Sequence, residues 1–331
     1  MASDKPLRVA VYGDLDLVGD ALIKLPFARA LRLRYPGAEI TWIAGRGGSA
    51  FAGALAPLAA GVIDRVLERT GVGADLRAAL GRPPDLLIDT QSDLATALAL
   101  RAIGARRFVT AAAWGLPGRP VRFAPVVPRH LVRRLLALID RDGTGGDGTG
   151  SDGTGGDGAG PALAVPFADR AATLLPDGPR YVAQVLGAGG RHKVWPEAHH
   201  VALARALLAQ GSTPVLILGP DEAARHPSLA ETVPGALFPL QQTDDPQPAL
   251  TIALAARCSV AVAADSGGGH MMAAAGIPLV SLFGPTDPGK FAPWTPRLRV
   301  LRTRAFGGIE MSVIPVAAVL EAVNRFGGDM P

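Results

Sequence analysis

Short apolar runs recur along this chain. Each gives way to a Gly- or Asp-rich stretch and then to a segment with apolar residues at helical spacing. Residues 7–12, 37–44, 61–67 and 85–89 read as strands, and 107–110 as a fifth. Helices are expected at 20–35, 50–58 and 92–103, with 131–140 closing the first half. The alternation resumes in the second half. Strands are expected at 181–186, 214–218, 258–264 and 279–283, and helices at 196–210, 248–257 and 313–326. Strands separated by helices at this spacing imply parallel sheets covered on both faces. The pattern predicts two doubly wound, Rossmann-like α/β domains, 1–140 and 162–331. In such folds ligands sit at the carboxyl ends of strands, which here predicts a site in an interdomain cleft.

Residues 141–161 interrupt the pattern with a Gly/Asp/Thr repeat that can build no core and reads as a flexible linker. The repeat lacks the apolar residue that packs each turn of a calcium-binding β-roll, so the linker reading is favoured.

Composition adds boundaries. Of the 331 residues, 48% are hydrophobic and only 5% aromatic, so the cores should be built from Ala, Val and Leu. No apolar run approaches the ~18–20 residues of a membrane span, and the N-terminus lacks the apolar core of a signal peptide. A lone cysteine, Cys258, leaves no internal disulfide and fits a reducing cytoplasm. Net charge is +4, with 29 Arg against 4 Lys. Genome composition explains such an excess; a surface that meets phosphates, carboxylates or anionic lipid is the sharper reading. Arg101, Arg106, Arg107, Arg119, Arg122, Arg133 and Arg134 concentrate in one stretch, without the interleaved aromatics of a single-strand nucleic-acid platform. No nucleic-acid partner is expected.

The chemistry concentrates in loops at strand ends. Asp265-Ser-Gly-Gly-Gly-His270 links a buried strand to an Ala/Met-rich helix closed by Gly276 and Pro278. Amides at such a helix start lack intrahelical partners and carry the positive end of the dipole, a seat for a diphosphate. Ser266, Gly267, Gly268 and Gly269 suit that role; Asp265 would orient the loop, and His270 either packs or touches the ligand. After strand 181–186 comes Gly187-Ala-Gly189-Gly-Arg-His-Lys193-Val-Trp195-Pro196, where Lys193 suits phosphate contact. Pro196 intervenes before any helix, so these glycines are not a dinucleotide fingerprint. Asp221 and Glu222 end another strand, as ribose acceptors or as a helix cap. Asp20, after Gly19 at the first helix start, is either an N-cap or a carboxylate facing the cleft. No metal site is expected.

Together these loops resemble glycosyltransferase family 9, the ADP-heptose:lipopolysaccharide heptosyltransferases. The resemblance spans residues 7–296 apart from the 141–160 insert. It rests on Asp265–His270 with Gly276 to Asp287, on Gly187-Ala-Gly with Lys193-Val-Trp-Pro196, on Gly19-Asp20 with Pro26, and on the helix from His130. The chain departs from the family's pattern at Gly268, usually Pro; at Val194, usually Arg; and at Asp14 and Asp16, usually basic or small. The resemblance implies the GT-B architecture, with an N-terminal acceptor domain and a C-terminal nucleotide-sugar domain. It implies inverting transfer without a metal or other cofactor, from an ADP-linked nucleotide sugar that serves as co-substrate. Asp20 falls where the family has its general base, and Lys193 where a lysine meets donor phosphate. Asp265, Ser266, Gly267 and His270 match the nucleotide loop, and Glu222 a ribose-contacting acid. The expected acceptor is a lipid-linked or core saccharide, met in the cytoplasm with peripheral contact at the inner membrane face. Two other readings fit the same architecture: a nucleotide-sugar epimerase, and a non-catalytic nucleotide-sugar or saccharide binder suggested by the Asp14/Asp16 loop.

Overall fold

The computed structural model describes residues 5–112, 128–140 and 167–326. The expected linker, Arg119 and Arg122 lie outside the described residues. The described residues fall into two compact units, divided after residue 140.

The first unit runs β1 (Arg8–Tyr12), α1 (Val18–Arg34), β2 (Glu39–Ile43), α2 (Ala56–Ala59), β3 (Arg65–Leu67), α3 (Ala74–Leu80), β4 (Leu86–Asp89), α4 (Leu94–Arg101), β5 (Arg107–Thr110) and α5 (Leu131–Asp140). Its sheet is parallel throughout, in the order β3-β2-β1-β4-β5. The order reverses between β1 and β4, where Tyr12 pairs with Asp89. Doubly wound sheets hold ligands at such a reversal. The helix expected at 50–58 is instead a 3-10 turn, Ala50–Ala52, followed by α2. Ser49 caps that turn, Gly53 ends it, and Pro57 lies in the first turn of α2, where its missing N–H costs nothing. The sequence pattern did not predict α3, whose buried residues are only Leu76 and Leu80.

The second unit runs α6 (Ala168–Leu174), β6 (Tyr181–Val185), α7 (Glu197–Ala209), β7 (Thr213–Ile217), α8 (His226–Thr232), α9 (Pro248–Ala255), β8 (Val260–Ala264), α10 (Gly267–Ala274), β9 (Leu279–Phe283), α11 (Pro288–Phe291), β10 (Leu298–Arg302) and α12 (Val316–Arg325). The parallel order is β10-β9-β8-β6-β7, reversing between β6 and β8. Strands β6, β8 and β9 are buried along their whole length, because helices cover both faces. Ala183, Val185, Ala261 and Ala263 feed one core layer; Val182, Val260, Val262 and Val280 feed the other. Strand β10 was not predicted. It is a short edge strand that exposes Arg299 and Arg302, and such charges discourage pairing with a further strand.

Small aliphatic residues dominate both cores, as expected from composition. An aromatic cluster lies beneath the loop after β1. There the Trp42 ring meets Phe51 edge-on at 5.1 Å and Phe27 at 6.4 Å. Among the described residues no helix is long and apolar enough to cross a membrane.

Candidate functional site

In the second unit, strand β8 ends at Ala264, and the buried Asp265 and extended Ser266 lead into α10. Ser266 is the N-cap, and its hydroxyl accepts from Gly269 N at 3.4 Å. The first intrahelical bond runs from His270 N to Ser266 O at 3.3 Å, so the amides of Gly267 and Gly268 precede the ladder. The amides offered outward are therefore fewer than the sequence suggested, since that of Gly269 is turned to its own cap. Glycine is required here by close approach. A β-carbon at Gly268 would lie 2.5 Å from Val185 Cγ1, and one at Gly269 would lie 3.1 Å from Ala264 O. His270 is buried on the first turn of α10.

The Asp265 carboxylate draws two other loops together. Its Oδ2 accepts from Lys193 Nζ at 2.7 Å and from Thr286 Oγ1 at 2.7 Å. Lys193 ends the 3-10 turn Arg191–Lys193 that follows β6, and its side chain is 23% exposed against 8% for Asp265. Behind that turn Trp195 is buried and donates from Nε1 to Ile314 O at 3.0 Å. The His200 ring meets the Trp195 ring at 4.8 Å, and His200 Nδ1 lies 3.0 Å from Gln184 Oε1. Burial pushes His200 down to about 3, with His199 adding to the shift. The ring is thus neutral, and it meets the Gln184 amide through Nδ1. Thr286 belongs to the loop after β9. A β-carbon on Gly284 would lie 3.0 Å from Met311 Sδ and 3.7 Å from His192 O, so the loops after β6 and β9 are in close contact.

Glu222 joins the loops after β6 and β7. A β-carbon on Gly187 would meet its Oε2 at 2.5 Å, and one on Gly219 at 2.9 Å. The carboxylate therefore rests over two backbones, where a β-carbon would have to displace it. Glu222 holds the N-cap position of the turn Ala223–Arg225 without a side-chain cap bond, so capping by Asp221 does not account for the acidic pair. At Gly189 a side chain would meet open space. The structure thus gathers Lys193, Asp265, Ser266, Gly267, Gly268 and Gly269, with Gly187 and Glu222, at the carboxyl end of the second sheet. Thr286 lies within the Gly276–Asp287 motif, whose local pattern gives it no role. Its partner Asp265 lies 21 residues away, beyond any local pattern.

The loop after β1 is arranged differently. Asp20 is the third residue of α1, so the N-cap reading fails: Leu17 holds that position. The Asp20 side chain is exposed and has no hydrogen-bond or ion-pair partner among the described residues; Gly19 before it is half-buried. Asp16, by contrast, is buried. It accepts from Lys24 Nζ, from Trp42 Nε1 at 2.6 Å and from Ser49 Oγ at 3.3 Å. Burial raises its pKa against the lowering pull of Lys24. Asp14 adopts φ +55°, and a β-carbon at Gly45 would lie 2.6 Å from both Asp14 Oδ1 and the Tyr12 hydroxyl. Burial, then the Asp14 charge, pushes Tyr12 up to about 12. At the end of β4 the buried Asp89 accepts from Thr110 Oγ1 at 2.8 Å and Gln91 N at 2.9 Å, and burial raises it as well. In the arginine-rich stretch, Arg134 donates to Ser92 Oγ at 3.0 Å, and the exposed Arg106 lies 3.6 Å from Asp85.

Among the described residues no three His, Cys, Asp or Glu side chains group as metal ligands would. The Cys258 thiol is buried and pushed up to about 12 by that burial, which leaves it inert as a nucleophile.

Two parallel α/β units, each with charged loops at its strand-order reversal, define the GT-B class of fold. Solved structures agree. A glycosyl transferase family 9 protein from Veillonella parvula matches with a TM-score of 0.72 over 98% of both chains at 18% identity. The E. coli ADP-heptose LPS heptosyltransferase II matches with a TM-score of 0.67 over 97% of this chain and 98% of the other, at 22% identity. The model of glycosyltransferase family 9 (heptosyltransferase) matches residues 75–309, and the chain belongs to that family. Lipopolysaccharide heptosyltransferase 2 of E. coli is 32% identical over 119 residues, covering 34% of this chain and 33% of that protein. Lipooligosaccharide heptosyltransferase 2 of Haemophilus influenzae is 29% identical over 115 residues, covering 34% and 33%. The matched stretch thus spans about a third of the length of these curated relatives.

Proposed function

We propose that the protein is an inverting, metal-independent glycosyltransferase that moves a heptose or related sugar from a nucleoside diphosphate, ADP in the first instance, to a lipopolysaccharide-core or similar saccharide. The carrying observation is the Lys193–Asp265 pair beside the amide-rich start of α10, at the strand-order reversal of the second sheet. The donor's diphosphate rests on the amides of Gly267 and Gly268 and on the Lys193 ammonium, with the ribose hydroxyls donating to Glu222. The Asp20 carboxylate takes the proton of the acceptor hydroxyl. That oxygen attacks the anomeric carbon from the face opposite the diphosphate, and the bond from carbon to diphosphate oxygen breaks. General-base assistance of this kind supplies ~10²–10⁴-fold. Lys193 and the preorganised amides hold the charge on the leaving group. The arginines of the first unit meet anionic groups of the acceptor and the cytoplasmic face of the inner membrane.

Calorimetry with ADP and UDP, followed by product analysis with ADP-heptose and a core acceptor, tests this reading. Nucleotide binding by the parent, weakened in Lys193→Ala, together with acceptor-dependent transfer is the expected outcome. Sugar conversion without acceptor would move the protein to the epimerases, and binding without turnover to the non-catalytic binders.

A further inference from the structure

We propose that Thr286 is a positioning residue of the donor site, holding Asp265 compensated while Lys193 turns toward the incoming diphosphate. This rests on the donor-site reading above. Two donors converge on one carboxylate oxygen, Lys193 Nζ at 2.7 Å and Thr286 Oγ1 at 2.7 Å. The two donors are not equivalent. The lysine carries three N–H groups on a flexible stem, and its side chain is 23% exposed. Thr286 is half-buried in a short loop fixed at both ends, by the crowded Gly284 before it and by Asp287, whose Oδ1 accepts from Gly289 N at 3.0 Å.

A diphosphate at the start of α10 arrives beside the Asp265 carboxylate, and like charges repel. Lys193 must serve both anions. With only Lys193 as donor, a carboxylate this buried would hold the ammonium for itself, because a buried anion stripped of donors is costly. The Thr286 hydroxyl supplies a second donor that stays when the lysine turns. It touches no donor atom itself and works through Asp265.

The test is calorimetry with ADP on the full chain, with thermal melting recorded alongside. Thr286→Val keeps the shape and removes the hydroxyl; ADP affinity should fall roughly tenfold. Thr286→Ser should restore it. In a Lys193→Ala background the same valine substitution should change ADP affinity little, because the two residues act through one carboxylate. With the nucleotide sugar, the KM should rise while kcat at saturating donor stays near the parental value. Thr286→Ala repeats the measurement should the valine variant fold poorly. Parental ADP affinity in Thr286→Val or Thr286→Ala, with or without a lowered melting temperature, overturns the proposal and leaves the donor site standing. An undiminished valine effect in the Lys193→Ala background also overturns it. A parent chain that binds neither ADP nor UDP overturns the donor-site reading and this one together.

Discussion

The loop after β1 and the loop after β8 occupy equivalent places, each at the carboxyl end of a strand beside the reversal of its sheet, yet they treat their carboxylates in opposite ways. After β1, Asp16 is buried under Lys24, Trp42 and Ser49, while Asp20, four residues on, is exposed and without a partner among the described residues. After β8, Asp265 is buried as Asp16 is, but one of its two donors is Lys193, a partly exposed lysine on a flexible stem. The difference ties the number and mobility of a carboxylate's donors to its task. Three donors make Asp16 part of the scaffold, because its charge is compensated and Lys24 is itself held by a second bond to the Gly13 carbonyl. A general base needs the reverse: an unfilled lone pair facing the substrate. A carboxylate with one mobile cationic partner falls between, able to lend that partner to a ligand.

Exchanging each carboxylate for its amide tests this contrast most strongly. Asp20→Asn should lower transfer by ~10²–10⁴-fold while the melting temperature and ADP affinity hold. Asp16→Asn should do the opposite. Weakening one side of a buried ion pair costs up to about 3–5 kcal/mol, read in denaturant unfolding, while the protein that remains folded turns over normally. Full turnover in Asp20→Asn, or a dead but stable Asp16→Asn, would invert the roles.

A smaller effect concerns the second loop and its departure from the family's pattern at Gly268. Any β-carbon there meets Val185 Cγ1 at 2.5 Å, so the glycine and the valine of the neighbouring strand are matched to one another. Gly268→Ala should destabilise by about 1–3 kcal/mol through overpacking, and adding Val185→Ala should recover much of it. Two independent, additive losses would show that the contact is not what excludes a larger residue. The Gly268 departure thus has a local steric cause. The Asp16 departure likewise has a local cause, its bonds to Lys24, Trp42 and Ser49.

How far such matters could be read in the sequence depended on their range. Buried strands such as β6 and β8 announce themselves as unbroken apolar runs, and the amide-rich start of α10 follows from its glycines. Helix α3 escaped because it buries only two leucines, and β10 because an edge strand with exposed arginines looks like a polar loop. The task of Asp16 was invisible because Trp42 and Ser49 lie 26 and 33 residues away. The same holds for Asp265 and Lys193, 72 residues apart: both were singled out, and only the fold bonds them. Local pattern shows which residues stand at strand ends, while the donors each one receives are set by strand order.

The mildest test uses acid, because the buried groups of the two units titrate in opposite directions. His200, beneath the Lys193 turn, is held down at about 3 by burial, whereas unfolded histidine titrates near 6.5. Below about 6.5 the unfolded chain therefore binds a proton that the folded one refuses. The stability His200 contributes is complete above that value and is lost progressively as pH falls toward 3. One pH unit into this window the loss is about 1.4 kcal/mol. Asp16 and Asp89 in the first unit run the other way. Burial raises both, so the folded state accepts their protons before the unfolded chain does, and mild acid does not draw stability from them. Hydrogen exchange between pH 7 and about 5.5 should therefore show β6 and α7 losing protection relative to β1, once corrected for intrinsic rates. His200→Asn should flatten that difference by removing the titrating ring. Equal loss in both units, or a difference that survives the substitution, would detach the acid response from the packing that supports the Lys193 turn.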